Sequence, residues 1–444
     1  MMRGKQKSLD TYADDLFPKM REWRRDLHRH PETGWTEYRT TWKIHEELKP
    51  LSFTLYTGEE ALCAESRMGV PGDDELKQAE KLASEAGVPG EFLSRISGGM
   101  TGVAAVMDTG RPGPETAMRF DIDALPVEES DQPDHLPVKE QFRSCEDGRM
   151  HACAHDGHTA IGLAVAHFLH DHQKELTGKY VLLFQPAEEG SRGAAAMVEK
   201  GWLDSTDYFL GGHIGIENLP VGTISAGSDR FLATSKFDIT FTGTAAHAGK
   251  RPEEGKNALL AAASFIQSSA GVAPHSGGAT RLNIGQLKAG SGRNIVPDRA
   301  VLSGETRGEN DRLNRYMLEE TERMSRAAAF MHDVKVEFST VGNGTTAGCD
   351  HDLKTIVTGA AENTAAICEV LDSVSLGASE DVTHMINRVQ SCGGKATYMI
   401  FGTPLTAGHH HPAFDYDELV LKTGFLAFAA AVTEISRINE ERYR

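Results

Sequence analysis

The chain has 444 residues, 39% hydrophobic and 25% charged, the proportions of a folded globular protein rather than a disordered one. Lys and Arg number 46 against 64 Asp and Glu, a net charge of −18, which disfavours nucleic acid and anionic membranes as partners and demands a local positive centre for any anionic substrate. The first ten residues are charged and polar, and the longest mostly apolar stretch, Gly424 to Val432, is far short of the ~20 residues that span a bilayer. Cys63, Cys145, Cys153, Cys349, Cys368 and Cys392 form no CxxC pair, so a reduced cytoplasm is expected.

Taken in chain order, residues 9–50 read as helix: Leu16, Met20, Trp23 and Leu27 recur at helical spacing, Pro31 ends the first segment, and a second runs from Thr36 to Leu48. Residues 58–99, rich in Gly, Glu and Ala, read as a helical surface insertion. Gly102 to Met107 and Ala117 to Ile122 read as strands separated by a turn. A helix is expected from His158, capped by Asp156. Tyr180 to Phe184 is a continuous apolar run, as in a strand buried on both faces. A loop at Gln185–Gly190, a helix from Arg192 to Lys200 and a strand at Tyr208–His213 follow. This alternation predicts an α/β domain with a mixed, mostly parallel sheet and flanking helices, whose sites lie at strand C-terminal ends.

The pattern then changes. Strands at 235–241, 281–287, 294–306 and 334–339 and helices at 256–266 and 311–331 stand in the order βαββαβ, that of a ferredoxin-like unit. The expected organisation is a discontinuous first domain, 1–229 and 342–444, with a second domain inserted at 230–341. Helices at 354–367 and 417–434 and a strand at 396–401 complete the first.

Four segments carry chemistry. In HACAHDGH, His151 to His158, Cys153 and His155 are two apart and point one way from an extended segment; thiolate and imidazole suit zinc-like metals. In QPAEEG, Gln185 to Gly190, two adjacent carboxylates follow a buried strand, where one can bind metal while the other moves a proton; a solvated pair at a helix start reads equally well. His213 ends a strand between glycines and, alone, reads as a packed structural His. His409, His410 and His411 are consecutive. Cys153, His155, Glu189, His213 and one imidazole of that run make five candidate ligands. One catalytic zinc uses about three protein ligands, so five fit two metals better, with Glu188 as the proton carrier.

These segments resemble the amidohydrolase branch of the two-metal aminoacylase and carboxypeptidase superfamily. The resemblance rests on RDLHRHPE (Arg25–Glu32), RFDIDALP (Arg119–Pro126), HACAHDGH, QPAEEG, GTAAH (Gly243–His247), NIVPD (Asn294–Asp298) and the late His run, and covers nearly the whole chain. Within that branch AESRMGV (Ala64–Val70), the 58–99 insertion, SGRNIVPD, GETRG and AGHHHPAFDYDE resemble the aminobenzoyl-glutamate hydrolase group.

The resemblance implies that Cys153, His155, Glu189, His213 and His410 hold two divalent metal ions, manganese or zinc, and that Glu188 is the general base. His410 is preferred because the family places Phe four residues after that ligand, as Phe414 is here. It further implies that the inserted domain is a lid or dimerisation domain, and that His247 polarises the scissile carbonyl, often across a homodimer. Asn294 and Arg307 would take the substrate carboxylate, and Asp121 and Asp123 would support the ligands. His247 as a loop residue and Arg307 as a surface strand residue are the plain alternatives. The implied substrate is an N-acyl amino acid, p-aminobenzoyl-glutamate first, with indole-3-acetyl-aspartate or hippurate-like amides as alternatives; a paralogous second subunit is a possible partner. A non-catalytic metal-binding regulatory protein would have lost the base or a ligand, and neither is lost here. The family's HACGH has Gly where this chain has Ala154.

Overall fold

Burial of continuous apolar runs organises the larger of the two main sheets; Ser228–Asp229 and Val374–Ser375 pair as a separate two-stranded ribbon. The computed structural model describes residues 8–443. Its first strands are β1 (Thr54–Thr57), β2 (Val103–Asp108), β3 (Glu115–Asp121), β4 (Lys179–Gln185), β5 (Tyr208–Asn218), β6 (Thr223–Ser225) and β7 (Ser228–Asp229). Next come β8 (Ala233–Thr242), β9 (Thr280–Ala289), β10 (Arg299–Gly308) and β11 (Lys335–Gly344) of the smaller sheet, then β12 (Glu369–Leu371), β13 (Val374–Ser375) and β14 (Lys395–Thr403).

The larger sheet has the order β1-β2-β4-β3-β5-β14-β6-β12. Its centre is parallel, β4 with β3, β3 with β5 and β5 with β14, while β1, β2 and β6 pair antiparallel with their inner neighbours. Along β4, Tyr180, Leu182 and Phe184 face one core and Val181 and Leu183 the other, which explains a run without polar alternation. The first core is covered by helices Leu9–Arg29, His155–His172, His351–Ala361 and Val420–Tyr443, the second by Ala194–Val198 and Val382–Ser391. No described helix is long and apolar enough to cross a membrane.

The smaller sheet is antiparallel throughout, in the order β11-β8-β10-β9. Helices Ala258–Ser269 and Asp311–Met331 cover one face around Phe237, Ile239, Phe241 and Leu302, the split βαβ arrangement expected from the sequence. Residues 58–99 include helices Asp73–Glu85 and Gly90–Arg95, whose Ala83, Val88, Phe92 and Ile96 pack on Tyr38 and Trp42; the insertion has a small core of its own.

Several local readings need correction. The long helix starts at His155, not His158, and Asp156 does not cap it. Its buried carboxylate instead accepts from Arg24 Nε at 3.1 Å, Tyr416 Oη at 3.0 Å and the Gly157 amide at 2.8 Å, and meets His28 Nδ1 at 2.9 Å. Residues 294–298 are not strand; β10 begins at Arg299, since Pro297 has no N–H for the ladder. The helix Val382–Ser391 was not anticipated. Cys145, Cys368 and Cys392 are exposed, not the small buried residues that free cysteines usually are.

His28 is fully buried between two carboxylates, with Nε2 2.9 Å from Glu129 and Nδ1 2.9 Å from Asp156. Burial alone would lower its pKa; Asp156 and Glu129 overcome this and raise it to about 9. The folded state therefore holds a proton that the unfolded chain releases above about 6.5. This stabilisation is complete below that pH and disappears as pH rises through about 9. Urea unfolding of His28→Gln should show a smaller fall in stability between pH 7 and 9 than the native chain; an equal fall rules out His28 as its source.

Candidate metal centre

The C-terminal ends of the parallel strands bring the chemical residues together, as doubly wound sheets do. β3 leads to Asp121 and Asp123, β4 to Glu188 and Glu189, β5 carries His213, and the segment after β14 carries His409 and His410. Cys153 and His155 enter on the turn that opens the His155–His172 helix.

Each donor has its spare proton placed elsewhere. His213 Nδ1 donates to the Ile214 carbonyl at 2.8 Å, which leaves Nε2 as a bare lone pair 3.6 Å from Cys153 Sγ. His155 Nδ1 donates to Asp123, at 2.9 Å to the carbonyl and 3.2 Å to Oδ1. Its Nε2 is buried with no hydrogen-bond partner among the described residues, as is Glu189 Oε1. Glu188 Oε2 stands 3.9 Å from His155 Nε2, and His410 Nε2 stands 3.5 Å from Glu189 Oε1. Imidazoles locked by a second hydrogen bond in this way are the usual arrangement of metal ligands.

Two overlapping trios, Cys153–His155–Glu189 and Cys153–His213–His409, each offer three donor atoms within 4.8 Å of one another. His158 is not available: Nε2 accepts the Ile214 amide at 2.9 Å, so Nδ1 donates to Asp121 at 2.5 Å. Both His409 and His410 line the cavity, whereas His411 lines a different one and accepts the Ala413 amide through Nδ1. The His409 Nε2–H donates to the Ile214 carbonyl at 3.2 Å.

The cavity holds about 330 Å³. Burial, then Glu380 and Glu189, push the Glu188 carboxyl well above the usual range, and burial holds Glu189 at about 7 despite His155. Burial with Glu189 and Glu188 pushes the Cys153 thiol up. Burial with His158 and His409 pushes His213 well down. Burial pulls His155 down, but Asp121 and Asp123 overcome this and raise it to about 10. Carboxyls that cannot all ionise, beside the unprotonated His213 and His409, fit a cation that would take the place of the His155 proton. The sulfur, nitrogen and oxygen donors suit zinc-like and manganese-like ions.

Asp121 and Asp123 both lie beside these donors. Asp123 accepts the amides of Glu188 at 3.1 Å and Glu189 at 3.0 Å, so one carboxylate orients His155 and the backbone of both glutamates. Asp121 binds His158 and Arg119. Arg307 lines the cavity from β10, its Nε on Glu305 at 2.7 Å. His247 and Asn294 do not join the cavity of their own chain. They are exposed together at the tip of the smaller sheet, where the Ala248 amide donates to the Asn294 carbonyl at 3.0 Å.

Sequence reasoning missed Glu380 and Asp381. Arg119 donates to Asp121 at 2.6 Å, Gln185 at 2.8 Å, Glu380 at 2.9 Å and Asp381 at 3.2 Å. The available signal was Arg119 and Asp121 at period two on a strand with nowhere to expose a charge; Glu380 and Asp381 sit in no motif. Lys236, on the cavity wall in β8, was also missed.

Ala154, Ala187, Ser191 and His410 all have left-handed backbone, φ 65°, 51°, 58° and 66°. Strain of this kind collects at functional sites. Ala154 joins the candidate donors Cys153 and His155 in a conformation that glycine enters without penalty. Ala154→Gly should therefore keep or raise the urea midpoint, and Ala154→Val should lose about 2 kcal/mol or more. A Gly variant less stable than the native chain would contradict the strain.

Residues 117–434 match the family model for peptidase family M20/M25/M40. An indole-3-acetyl-aspartic acid hydrolase of Enterobacter agglomerans is 47% identical over 93% of this chain and 95% of its own. A p-aminobenzoyl-glutamate hydrolase subunit of Escherichia coli is 46% identical over 93% and 95%. The crystal structure of an aminobenzoyl-glutamate utilization protein from Klebsiella pneumoniae superposes with a TM-score of 0.82, at 40% identity, over 96% of this chain and 98% of that one. A dinuclear metal-binding M20 peptidase of Bacillus subtilis superposes at 0.63 with 25% identity, over 96% and 99%. The match spans most of the length and includes nearly every residue of the cavity, and the chain belongs to peptidase family M20/M25/M40.

Proposed function

We propose that the chain is a two-metal amide hydrolase that separates an aromatic acyl group from an amino acid, with p-aminobenzoyl-glutamate as first substrate. The observation that carries this reading is the convergence of sulfur, nitrogen and oxygen donors around Cys153 beside the buried Glu188, with His155 Nε2 and Glu189 Oε1 buried and without a hydrogen-bond partner among the described residues. Cys153, His155, Glu189, His213 and His410 would hold the ions, manganese or zinc. Bound there, divalent ions acidify a water and polarise the scissile carbonyl.

Glu188 takes the proton of the attacking water and delivers it to the leaving amine nitrogen. Its raised proton affinity, from burial beside Glu380 and Glu189, suits a group that must keep a proton between two transfers. Asp123 keeps His155 and the 188–189 backbone oriented, and Arg307, whose Nε and Nη2 are held by Glu305, meets a substrate carboxylate with the remaining edge of its guanidinium.

His247 and Asn294 would complete the cavity of a second copy. We assign 1–229 and 342–444 to the catalytic domain and 230–341 to a lid and dimerisation domain, in a homodimer. The Escherichia coli relative is named for one subunit of its hydrolase, which favours a paralogous second chain as a further partner. Six cysteines without a disulfide fit the reducing cytoplasm. Indole-3-acetyl-aspartate is the second reading, supported by a relative equally similar in sequence. A panel of both amides ranked by kcat/KM separates them: if indole-3-acetyl-aspartate ranks first, the substrate changes and the chemistry stands.

Glu188→Gln should retain the native metal content by mass spectrometry and lose on the order of 10³-fold in kcat; near-native turnover rejects the mechanism. Glu188→Gln and His247→Ala, each inactive, should recover roughly a quarter of native activity when mixed and allowed to exchange protomers, because half the dimers are mixed and each has one intact site. No recovery after demonstrated exchange rejects the shared site.

A further inference from the structure

The wall of the cavity opposite the donors is made by the open face of the smaller sheet. Lys236 in β8 and Glu305 in β10 are cross-strand partners, and Arg307 follows two residues along on the same face. Lys236 and Arg307 are the only Lys and Arg among the described residues lining the cavity. Both grip Glu305: Lys236 Nζ bonds Oε2, and Arg307 donates through Nε at 2.7 Å and Nη2 at 3.3 Å. Three charges of sign +, −, + in one plane leave a net positive patch.

The opposite wall offers no Lys or Arg: Cys153, Glu188, Glu189, His213, His409 and His410 line it, and Glu380 there is already held by Arg119 behind it. An amino acid with two carboxylates entering this space therefore needs two cationic contacts, and the patch supplies two, about one residue repeat apart on neighbouring strands.

We propose that Lys236 and Arg307 form a two-point carboxylate subsite in which Arg307 takes the α-carboxylate of the leaving amino acid and Lys236 takes its side-chain carboxylate. The enzyme then selects amides of dicarboxylic amino acids, aspartate or glutamate, and reads the acyl group less strictly. This rests on the amide hydrolase reading of the same cavity. It also accounts for relatives whose names give different acyl groups, indole-3-acetyl and p-aminobenzoyl, yet an acidic amino acid in both. Glu305 keeps the two cations spaced and prevents either from folding onto the carboxylates across the cavity.

The test compares kcat/KM for p-aminobenzoyl-glutamate and its neutral isostere p-aminobenzoyl-glutamine, on the metal-loaded protein. The native enzyme should prefer the glutamate amide on the order of 10²-fold, because the isostere forgoes one charge-assisted hydrogen bond in a partly enclosed site. Lys236→Met should reduce that ratio to below about 5, and Lys236→Arg should keep it above about 10. A ratio near one in the native enzyme overturns the subsite, as does a Lys236→Met variant that loses both substrates in equal proportion. Hydrolysis of neither amide, nor of indole-3-acetyl-aspartate and its asparagine isostere, by native protein overturns the hydrolase reading itself; hydrolysis of both amides at similar rates overturns the subsite alone.

Discussion

One buried guanidinium governs the acidic heart of this molecule. Arg119 is fully buried at the centre of the parallel sheet and reaches Asp121 on its own strand, Gln185 at the end of β4, and Glu380 and Asp381 before the Val382–Ser391 helix. Asp381 passes the constraint on by accepting the amides of Gly193 at 3.1 Å and Ala194 at 2.9 Å. Without the positive charge, Asp121, Glu380 and Asp381 would be uncompensated in a low-dielectric interior, where removing one partner of a charge group costs several kcal/mol. Arg24 performs the same task one layer out, for Asp156, Asp415 and Glu418. Both arginines lie behind the donors, and neither lines the cavity. The framework thus neutralises its supporting carboxylates and Glu380 on the cavity wall, and leaves Glu188 and Glu189 without an arginine partner.

How much of this could be read from the sequence depends on how local the cause is. Cys153, His155, Glu188, Glu189 and His213 were readable because each lies at or just beyond a strand end or helix start that the apolar pattern already marks, and all five converge. The large sheet and the split βαβ unit were readable for the same reason: β4 has a run buried on both faces, while the small sheet alternates. The start of the long helix was misread because Asp156 looks like a cap; its carboxylate belongs to Arg24 and His28, residues about 130 positions away. Glu380 and Asp381 were invisible because their role comes from Arg119 and from a helix amide cluster, and no spacing rule records either.

The choice among His409, His410 and His411 shows a subtler limit. Sequence periodicity cannot orient three consecutive imidazoles in a turn. The fold decides through backbone: the His410 amide donates to the Ala152 carbonyl at 2.8 Å, and the residue adopts φ 66°. His411 is thereby turned out and His409 turned in against Phe414, ring centroids 4.8 Å apart. His409 spends a proton on the Ile214 carbonyl, while His410 faces the unpartnered Glu189 oxygen.

The 58–99 insertion and the smaller sheet both meet the loop that carries Glu188 and Glu189. Arg192 holds the loop from below, Nε to the Glu189 carbonyl at 2.7 Å and Nη1 to Gly69 of the insertion at 3.1 Å. From the other side the Asn343 amide of β11 donates to the Ser191 carbonyl at 2.8 Å. Gly342 lies so close that a Cβ there would fall 2.0 Å from the Gly190 carbonyl oxygen. Any rotation of the smaller sheet must therefore pull on the two residues next to Glu189, and any shift of the insertion must pull on Glu189 itself through Arg192. Ala187 and Ser191, the two left-handed non-glycine residues of that loop, bracket the pair of glutamates. The loop that carries Glu188 and Glu189 is thus held by the insertion, by the smaller sheet and by its own Arg192, so the position of the cationic patch over the cavity and the position of Glu188 within it are set together.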